Sequence, residues 1–150
     1  MKEEIKLLEI GNKGRGTLQR APTVSPKGES TKGILFFDGT LIKGRYTVFI
    51  DMKRIFLSHK SFKYLFKLAW AAFKKEGGWI HKLDLEEGEN QGKYIYRLKK
   101  ELSLADGKLI ENNRIGCYRL NLKKEKIQVN KKVLENFEDY EIKKLLEEME

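Results

Sequence analysis

The sequence has little cysteine and no long apolar run, and each shortage excludes a class of protein. Its single cysteine, Cys117, cannot form an internal disulfide or supply a metal cage, so a reducing compartment is favoured and a structural zinc site is not. The longest apolar cluster, residues 65–73, is interrupted by Lys67 and is far too short to span a membrane. Because the first five residues, MKEEI, include two acids and start no apolar stretch, we expect no signal peptide and a cytoplasmic location.

Side chains with catalytic chemistry are also scarce. The only histidines, His59 and His81, do not stand at a spacing typical of metal ligands, and nothing in the sequence pairs either of them with Cys117. The glycine-rich residues 11–16 lack the Lys-Ser/Thr ending of a phosphate-binding loop. We therefore expect no catalytic residue, no metal and no cofactor, and we do not expect an enzyme.

Positive charge is what the chain has in excess. Its 150 residues include 31 Lys+Arg and 22 Asp+Glu, for a formal net charge of +9. Residues 138–150 hold six acids and two lysines, a local charge of −4, so residues 1–137 carry +13. Such a concentration of positive charge indicates a polyanionic partner, although a lysine-rich surface also serves solubility and stability.

Alternating apolar residues predict a small antiparallel sheet in the first part of the chain. The strands are expected at residues 34–37, 40–43, 45–50 and 54–57. Asp38-Gly39, between the first two, suits the positive φ angles of a tight hairpin turn. Residues 1–33 are expected to form a basic amino-terminal arm or extra strands, one of them near Thr17–Gln19.

After residue 57 the apolar period becomes helical. Ser58 is the expected N-cap of a helix that runs to about Lys75 and stops at Gly77-Gly78. A short second helix is expected within residues 81–87, with Leu83 and Leu85 directed inward.

A third helix, predicted over residues 91–102 after an Asn90 cap, has two different faces. One face carries an apolar stripe of Ile95, Leu98 and Leu102. At 100° per residue, the opposite sector carries a cationic group with an aromatic residue at its edge, namely Lys93, Arg97, Lys100 and Tyr96. Beyond it, residues 108–111 and 117–122 are predicted to form a β-hairpin with Arg114 in its polar tip, residues 112–116.

Helix, short helix, basic helix and hairpin is the element order of a winged helix-turn-helix, an α+β fold. Residues 56–65 (FLSHKSFKYL), 94–102 (YIYRLKKEL) and 109–120 (LIENNRIGCYRL) resemble the OmpR/PhoB-type winged-helix DNA-binding domain. The resemblance covers about residues 34–122. It implies an amino-terminal antiparallel sheet, a three-helix core and a carboxy-terminal wing. Residues 1–33 are too few and too basic to be a receiver domain, so a stand-alone domain without phosphorelay control is expected.

This domain would place its third helix in the major groove of DNA and its wing in the adjacent minor groove. By the resemblance, Arg97, Lys99 and Lys100 would face DNA, Arg114 would match the wing arginine, and Tyr118-Arg119 would match the strand that packs the wing. The expected DNA-binding residues are Lys93, Tyr96, Arg97, Lys99, Lys100, Asn112, Asn113, Arg114 and Arg119. The function that follows is sequence-specific binding of double-stranded DNA, as a transcriptional regulator whose partners are DNA and either a second copy or the transcription machinery.

Residues 123–150 are predicted to be an appendage, a strand over residues 126–130 followed by a helix. The helix has Ile142, Leu145, Leu146 and Met149 on one side, and folding back on its own domain is favoured over dimerisation.

Two other functions stay open: an RNA-binding or ribosome-associated module, and a winged-helix scaffold that binds an acidic protein.

Overall fold

Residues 33–102 and 108–149 are described in a computed structural model of the chain. The fold is mixed α+β, as predicted. Besides two short 3₁₀ turns, the elements are β1 (Leu35–Ile42), β2 (Arg45–Ile50), β3 (Lys53–Leu57), α1 (His59–Lys74), β4 (Ile80–His81), α2 (Lys82–Leu85), α3 (Gln91–Glu101), β5 (Ile110–Asn112), β6 (Cys117–Leu120), β7 (Ile127–Val129), α4 (Lys131–Glu135) and α5 (Tyr140–Met149).

The larger sheet has four strands in the order β3-β2-β1-β7. Strands β1, β2 and β3 are antiparallel neighbours, with Leu35 opposite Ile50 and Ile50 opposite Lys53. Strand β7 lies parallel to β1, with Leu35 opposite Ile127. Alternation along β1 and β2 sends Leu35, Phe37, Val48 and Ile50 to the buried face, as the apolar pattern predicts.

The first hairpin turn is not at Asp38-Gly39, so that prediction was wrong. Residues 35–42 form one strand, and the two-residue turn is Lys43-Gly44, where both φ angles are positive, at 53° and 79°. Asp38-Gly39 instead lies in a bulge, where the register with β2 shifts. Gly39 has φ 79°, and a Cβ there would lie 2.8 Å from Leu134 Cδ2, so the glycine lets α4 approach the sheet.

Helix α1 confirms the predicted cap, length and stop. The Ser58 hydroxyl accepts a hydrogen bond from Ser61 N at 3.3 Å, and the chain turns away at Gly77 with φ 68°. Phe62 and Phe66 are fully buried against the sheet, and both rings meet Phe37 edge-on with centroids 5.7 and 5.0 Å away. Phe62 and Phe66 are therefore core, and Trp70 and Phe73 pack half-buried against it.

Helices α2 and α3 depart from the predictions only in detail. Leu85 is buried, but Leu83 is 53% exposed, because a helix of four residues cannot direct both leucines inward. Asn90 stands at the N-cap of α3 without a side-chain cap bond; Gln91 is buried, and its amide donates to Gly88 O at 2.9 Å. Ile95 and Leu98 of α3 and Leu102, its C-cap residue, are buried as predicted.

The predicted hairpin is confirmed, and a short strand extends it to a second sheet in the order β4-β6-β5. Ile110 pairs with Leu120 across the hairpin, and Ile80 of β4 pairs with Tyr118. The strand between α1 and α2 thus ties the hairpin to the helices.

The carboxy-terminal residues are not an appendage. Strand β7 belongs to the larger sheet, and α5 folds back on α1, as favoured, with Ile142 and Leu146 buried. Trp70 Nε1 of α1 donates to Glu148 Oε1 of α5 at 2.8 Å. The boundary predicted at residues 122/123 therefore separates no units, since residues 34–150 form one compact unit. Helix α4 was not predicted.

Some predictions fall outside the described residues. These are the arm or strands in residues 1–32, including Thr17–Gln19, and the turn between α3 and β5 within residues 103–107. Within residues 33–102 and 108–149, no helix is long and apolar enough to cross a membrane.

Candidate nucleic-acid interface

Helix α3 carries four cations over an apolar base, three of them on its outer face and Lys99 at its flank. Ile95 and Leu98 anchor the helix in the core, and the Glu101 carboxylate near its end accepts a hydrogen bond from Ser58 N at 3.2 Å. Lys93, Arg97 and Lys100 are exposed, and Lys99 is half-buried. We call these four residues the α3 cations.

None of the α3 cations forms an ion pair with a carboxylate of the described residues. Two of them lie over aromatic rings of the same helix. The guanidinium carbon of Arg97 is 5.5 Å from the centroid of Tyr94, and Lys100 Nζ is 5.5 Å from that of Tyr96. Tyr96 is 63% exposed, so it is a surface aromatic beside positive charge, as predicted.

A hydrogen-bonded group behind α3 fixes Tyr94. Its ring meets Tyr64 edge-on at 5.8 Å, and Lys60 Nζ of α1 lies 4.5 Å from its centroid. The Tyr64 hydroxyl donates to Glu86 Oε1 at 2.7 Å, and Lys60 pairs with the same carboxylate. Burial, together with the neighbouring Glu86, raises the pKa of Tyr64. Hydrogen bonds from Lys60 and Tyr64 lower the pKa of Glu86. Glu86 is thus ionised and already paired.

The tip of the β5–β6 hairpin is held by its own asparagines. Asn112 Oδ1 accepts from Arg114 N at 2.7 Å, and Asn113 Oδ1 accepts from Ile115 N at 2.9 Å and Cys117 N at 3.0 Å. The amide oxygens of both predicted DNA-binding asparagines are therefore used within the tip. They shape it for Arg114, which is exposed and has φ 67°.

Arg119, the last predicted DNA-binding residue, forms hydrogen bonds and a ring contact with other residues of the chain. Its Nε donates to Glu111 Oε1 at 2.5 Å, and its Nη1 donates to Gly77 O at 3.1 Å. Its guanidinium carbon also lies 4.4 Å from the centroid of Trp79. Arg119 holds the hairpin to the end of α1, so we leave it out of the interface.

The hairpin stands beside the first turn of α3. A Cβ at Gly92 would lie 3.9 Å from the Tyr118 hydroxyl of β6, an ordinary contact distance. On the other side, Lys82 N of α2 donates to Gly116 O at 2.8 Å. The structure therefore joins the helix and the hairpin that carry the predicted site residues.

Two surface features were missed in the sequence. Ile115, beside Arg114, is 79% exposed, and a lone apolar residue in a polar tip was the available signal. On the outer face of the larger sheet, the rings of Phe36 and Phe49 lie 6.1 Å apart, and Arg54 lies over Phe56 at 5.4 Å. Phenylalanine at outward positions of three neighbouring strands was the signal there.

The described part of the chain contains no group of histidine, cysteine and acidic residues that could hold a metal ion. Comparisons of the whole chain with protein-family models, curated proteins and solved structures found no match.

Proposed function

We propose that the protein is a winged-helix protein that binds double-stranded DNA, with α3 in the major groove and the β5–β6 hairpin in the adjacent minor groove. Its expected role is that of a cytoplasmic transcriptional regulator. The observation that carries this proposal is the contrast between the α3 cations, which form no ion pair with a carboxylate of the described residues, and their apolar base. A helix about 10–12 Å across fits a major groove about 12 Å wide only if its outer face is free of other segments.

The element order supports the winged-helix assignment. Helices α1, α2 and α3 are followed by a hairpin, and β4, between α1 and α2, pairs with that hairpin. The order of three helices and a hairpin is the one implied by the resemblance to the OmpR/PhoB-type domain.

The cations are proposed to contact different parts of the DNA. Arg97 is ordered by the Tyr94 ring, which is itself fixed by Tyr64, so its planar guanidinium is suited to reading a guanine edge. Lys100 and the other lysines of α3 are suited to phosphate, which they approach as point charges. Arg114 is placed to enter the minor groove, where the negative potential attracts arginine.

A salt titration tests the proposal. The protein is mixed with a 30-base-pair duplex and with single strands of the same length, and affinity is measured at several salt concentrations. The five exposed or half-exposed cations, the α3 cations and Arg114, predict that log affinity falls with log salt at a slope of about −4 to −5. We expect the duplex to bind more tightly at every salt concentration. A flat salt response would reject the proposal.

Two single variants assign the roles. Arg97→Ala is expected to cost about 1–3 kcal/mol on a selected sequence and to relax specificity, whereas Lys100→Ala should weaken all sequences alike. Lys144→Ala, on the exposed side of α5, removes the same charge elsewhere and is the matched control. Unchanged binding in both α3 variants would show that α3 does not face the nucleic acid.

Single-stranded nucleic acid is the second candidate, favoured by the outer face of the larger sheet. Phe36, Phe49 and Phe56 place rings on three adjacent strands, and bases stack on such rings. Tighter binding of the single strand, lost in Phe56→Ala, would favour this function over duplex binding.

A further inference from the structure

The hairpin tip exposes one apolar side chain next to one cation. Ile115 is 79% exposed, and Arg114 precedes it with its side chain also in solvent. Isoleucine is stiff at χ1 because it is branched at Cβ. The tip therefore presents a blunt hydrocarbon group with little rotamer freedom.

The backbone under Ile115 is fixed. Its N–H donates to Asn113 Oδ1 at 2.9 Å, and the same oxygen accepts from Cys117 N on the far side of the tip. Gly116 O accepts from Lys82 N at 2.8 Å, so α2 holds the tip from behind. A Cβ at Gly116 would lie 3.2 Å from His81 Nε2. Because the backbone of the tip is held by these hydrogen bonds, the Ile115 side chain can press against a partner without the tip changing its conformation.

We propose that Ile115 is a wedge that enters the minor groove, inserts between two base pairs and bends the DNA; this rests on the proposed function. Arg114 would be drawn in by the negative potential of the groove and would bring Ile115 with it. Apolar side chains inserted in this way unstack a step and kink the duplex by about 20–90° toward the major groove. Pyrimidine–purine steps, which unstack most easily, are the expected points of entry.

Ring closure tests the wedge without knowledge of the binding sequence. A linear duplex of about 120 base pairs is shorter than the persistence length of DNA, so it circularises poorly with ligase unless a bound protein bends it. We expect the wild-type protein to raise the yield of monomer circles roughly tenfold. Ile115→Ala, compared at equal occupancy of the duplex, should lose most of that gain.

Two further variants are controls. Ile115→Leu keeps an apolar wedge of the same size and should keep most of the gain in circles. Met52→Ala removes a side chain that is 87% exposed in the β2–β3 turn and should behave as wild type.

Occupancy is measured separately on the same duplex, which separates the two possible failures. If no duplex is bound, the proposed function fails and the wedge fails with it. If the duplex is bound but circles are not gained, or if Ile115→Ala gains as many as wild type, only the wedge is overturned.

Discussion

Helices α1 and α3 both carry basic residues over an apolar base, yet their charges are used differently. On α1, Lys60 pairs with Glu86, and Lys63 Nζ lies 3.1 Å from Asp139 and 2.8 Å from Glu141. Lys67 Nζ is 2.9 Å from Glu141 and donates to Leu85 O at 2.6 Å. The α3 cations have no such partners among the described residues.

The difference shows that a count of lysines does not locate a binding surface. The acidic carboxy-terminal segment lies against α1, where Asp139 and Glu141 neutralise Lys63 and Lys67. Of the two helices, α3 is therefore the one whose cations all lack a carboxylate partner in the described part of the chain. A lysine that already pairs with a carboxylate would lose that partner on binding phosphate, so Lys60, Lys63 and Lys67 contribute to the fold and the α3 cations are available to a polyanion.

The largest expected effect comes from removing charge on α3. The combined variant Lys93→Gln, Arg97→Gln and Lys100→Gln should lower duplex affinity about 100-fold and make the salt slope less steep by about 3. Because these side chains are exposed, the free energy of unfolding should change by less than about 0.5 kcal/mol. Affinity and urea unfolding, measured together, check both parts. A large loss of stability in this variant would remove the distinction between the two helices.

The opposite result is expected on α1. Lys67→Met should lower the free energy of unfolding by about 1–3 kcal/mol, because Leu85 O loses its donor and Glu141 loses a partner. Duplex affinity of the folded variant should match wild type. Lys144→Met, on the exposed side of α5, is the control and should leave stability nearly unchanged. Weaker duplex binding in Lys67→Met at full folding would place α1 in the interface.

Arg119 gives a smaller test within the hairpin. Arg119→Lys keeps the charge but loses the planar contact with Trp79 and the bond to Gly77 O, so we expect a loss of about 1 kcal/mol in unfolding free energy. The salt slope of duplex binding should not change. In Arg119→Gln, which removes the charge, the slope should also be unchanged, and a slope less steep by about 1 in that variant would instead make Arg119 a phosphate contact.

The smallest effect concerns acid pH. Burial alone would raise the pKa of Asp139, but hydrogen bonds from Lys63 and His59 lower it below its ordinary 3.8. The pKa of Glu141 is likewise lowered, against its burial, by hydrogen bonds from Lys63 and Lys67. Carboxylates of this kind stabilise the fold above their unfolded pKa, and the contribution is lost as pH falls through the lowered folded value.

Unfolding free energy should therefore be constant near neutrality and begin to fall below about pH 5. Glu141→Gln should cost less than about 1 kcal/mol at pH 7, because the site is half exposed, and should flatten the decline in acid. Urea titrations from pH 7 to pH 3 measure both. Equal declines in the two proteins would show that this carboxylate does not contribute.

Local signals were enough to predict the elements around the site. The start of α1 is set by Ser58, its end by the glycines that follow, and the buried face of α3 by the stripe of Ile95, Leu98 and Leu102. Each of these signals depends on residues within one or two helical turns, and the structure agrees with each. The turn at Asp38-Gly39 was misplaced because Gly39 serves a partner, Leu134, that is distant in the sequence. No local pattern contains that contact.

At the site, too, the sequence predicted the features that depend on local periodicity. The exposed cations of α3 follow from helical periodicity alone. That Arg119 is bound to Glu111 and Trp79 depends on contacts between elements. Asn112 and Asn113 instead accept hydrogen bonds from backbone N–H groups two to four residues further on, a local turn pattern typical of asparagine. The ion pairs between α1 and the acidic segment require α5 to pack on α1. The apolar periodicity of α5 favours packing on its own domain but does not predict which helix it contacts.

The parallel pairing of β7 with β1 also sets an order of events during synthesis. Strands β1–β3 and helix α1 leave the ribosome before residues 127–149 are made, so β1 waits for its partner β7, and Lys63 of α1 waits for Asp139 and Glu141. Until those residues emerge, a nascent chain therefore has a β1 edge without β7 and a Lys63 without its carboxylates. Any shortened version that stops at the end of the hairpin would keep that immature state permanently.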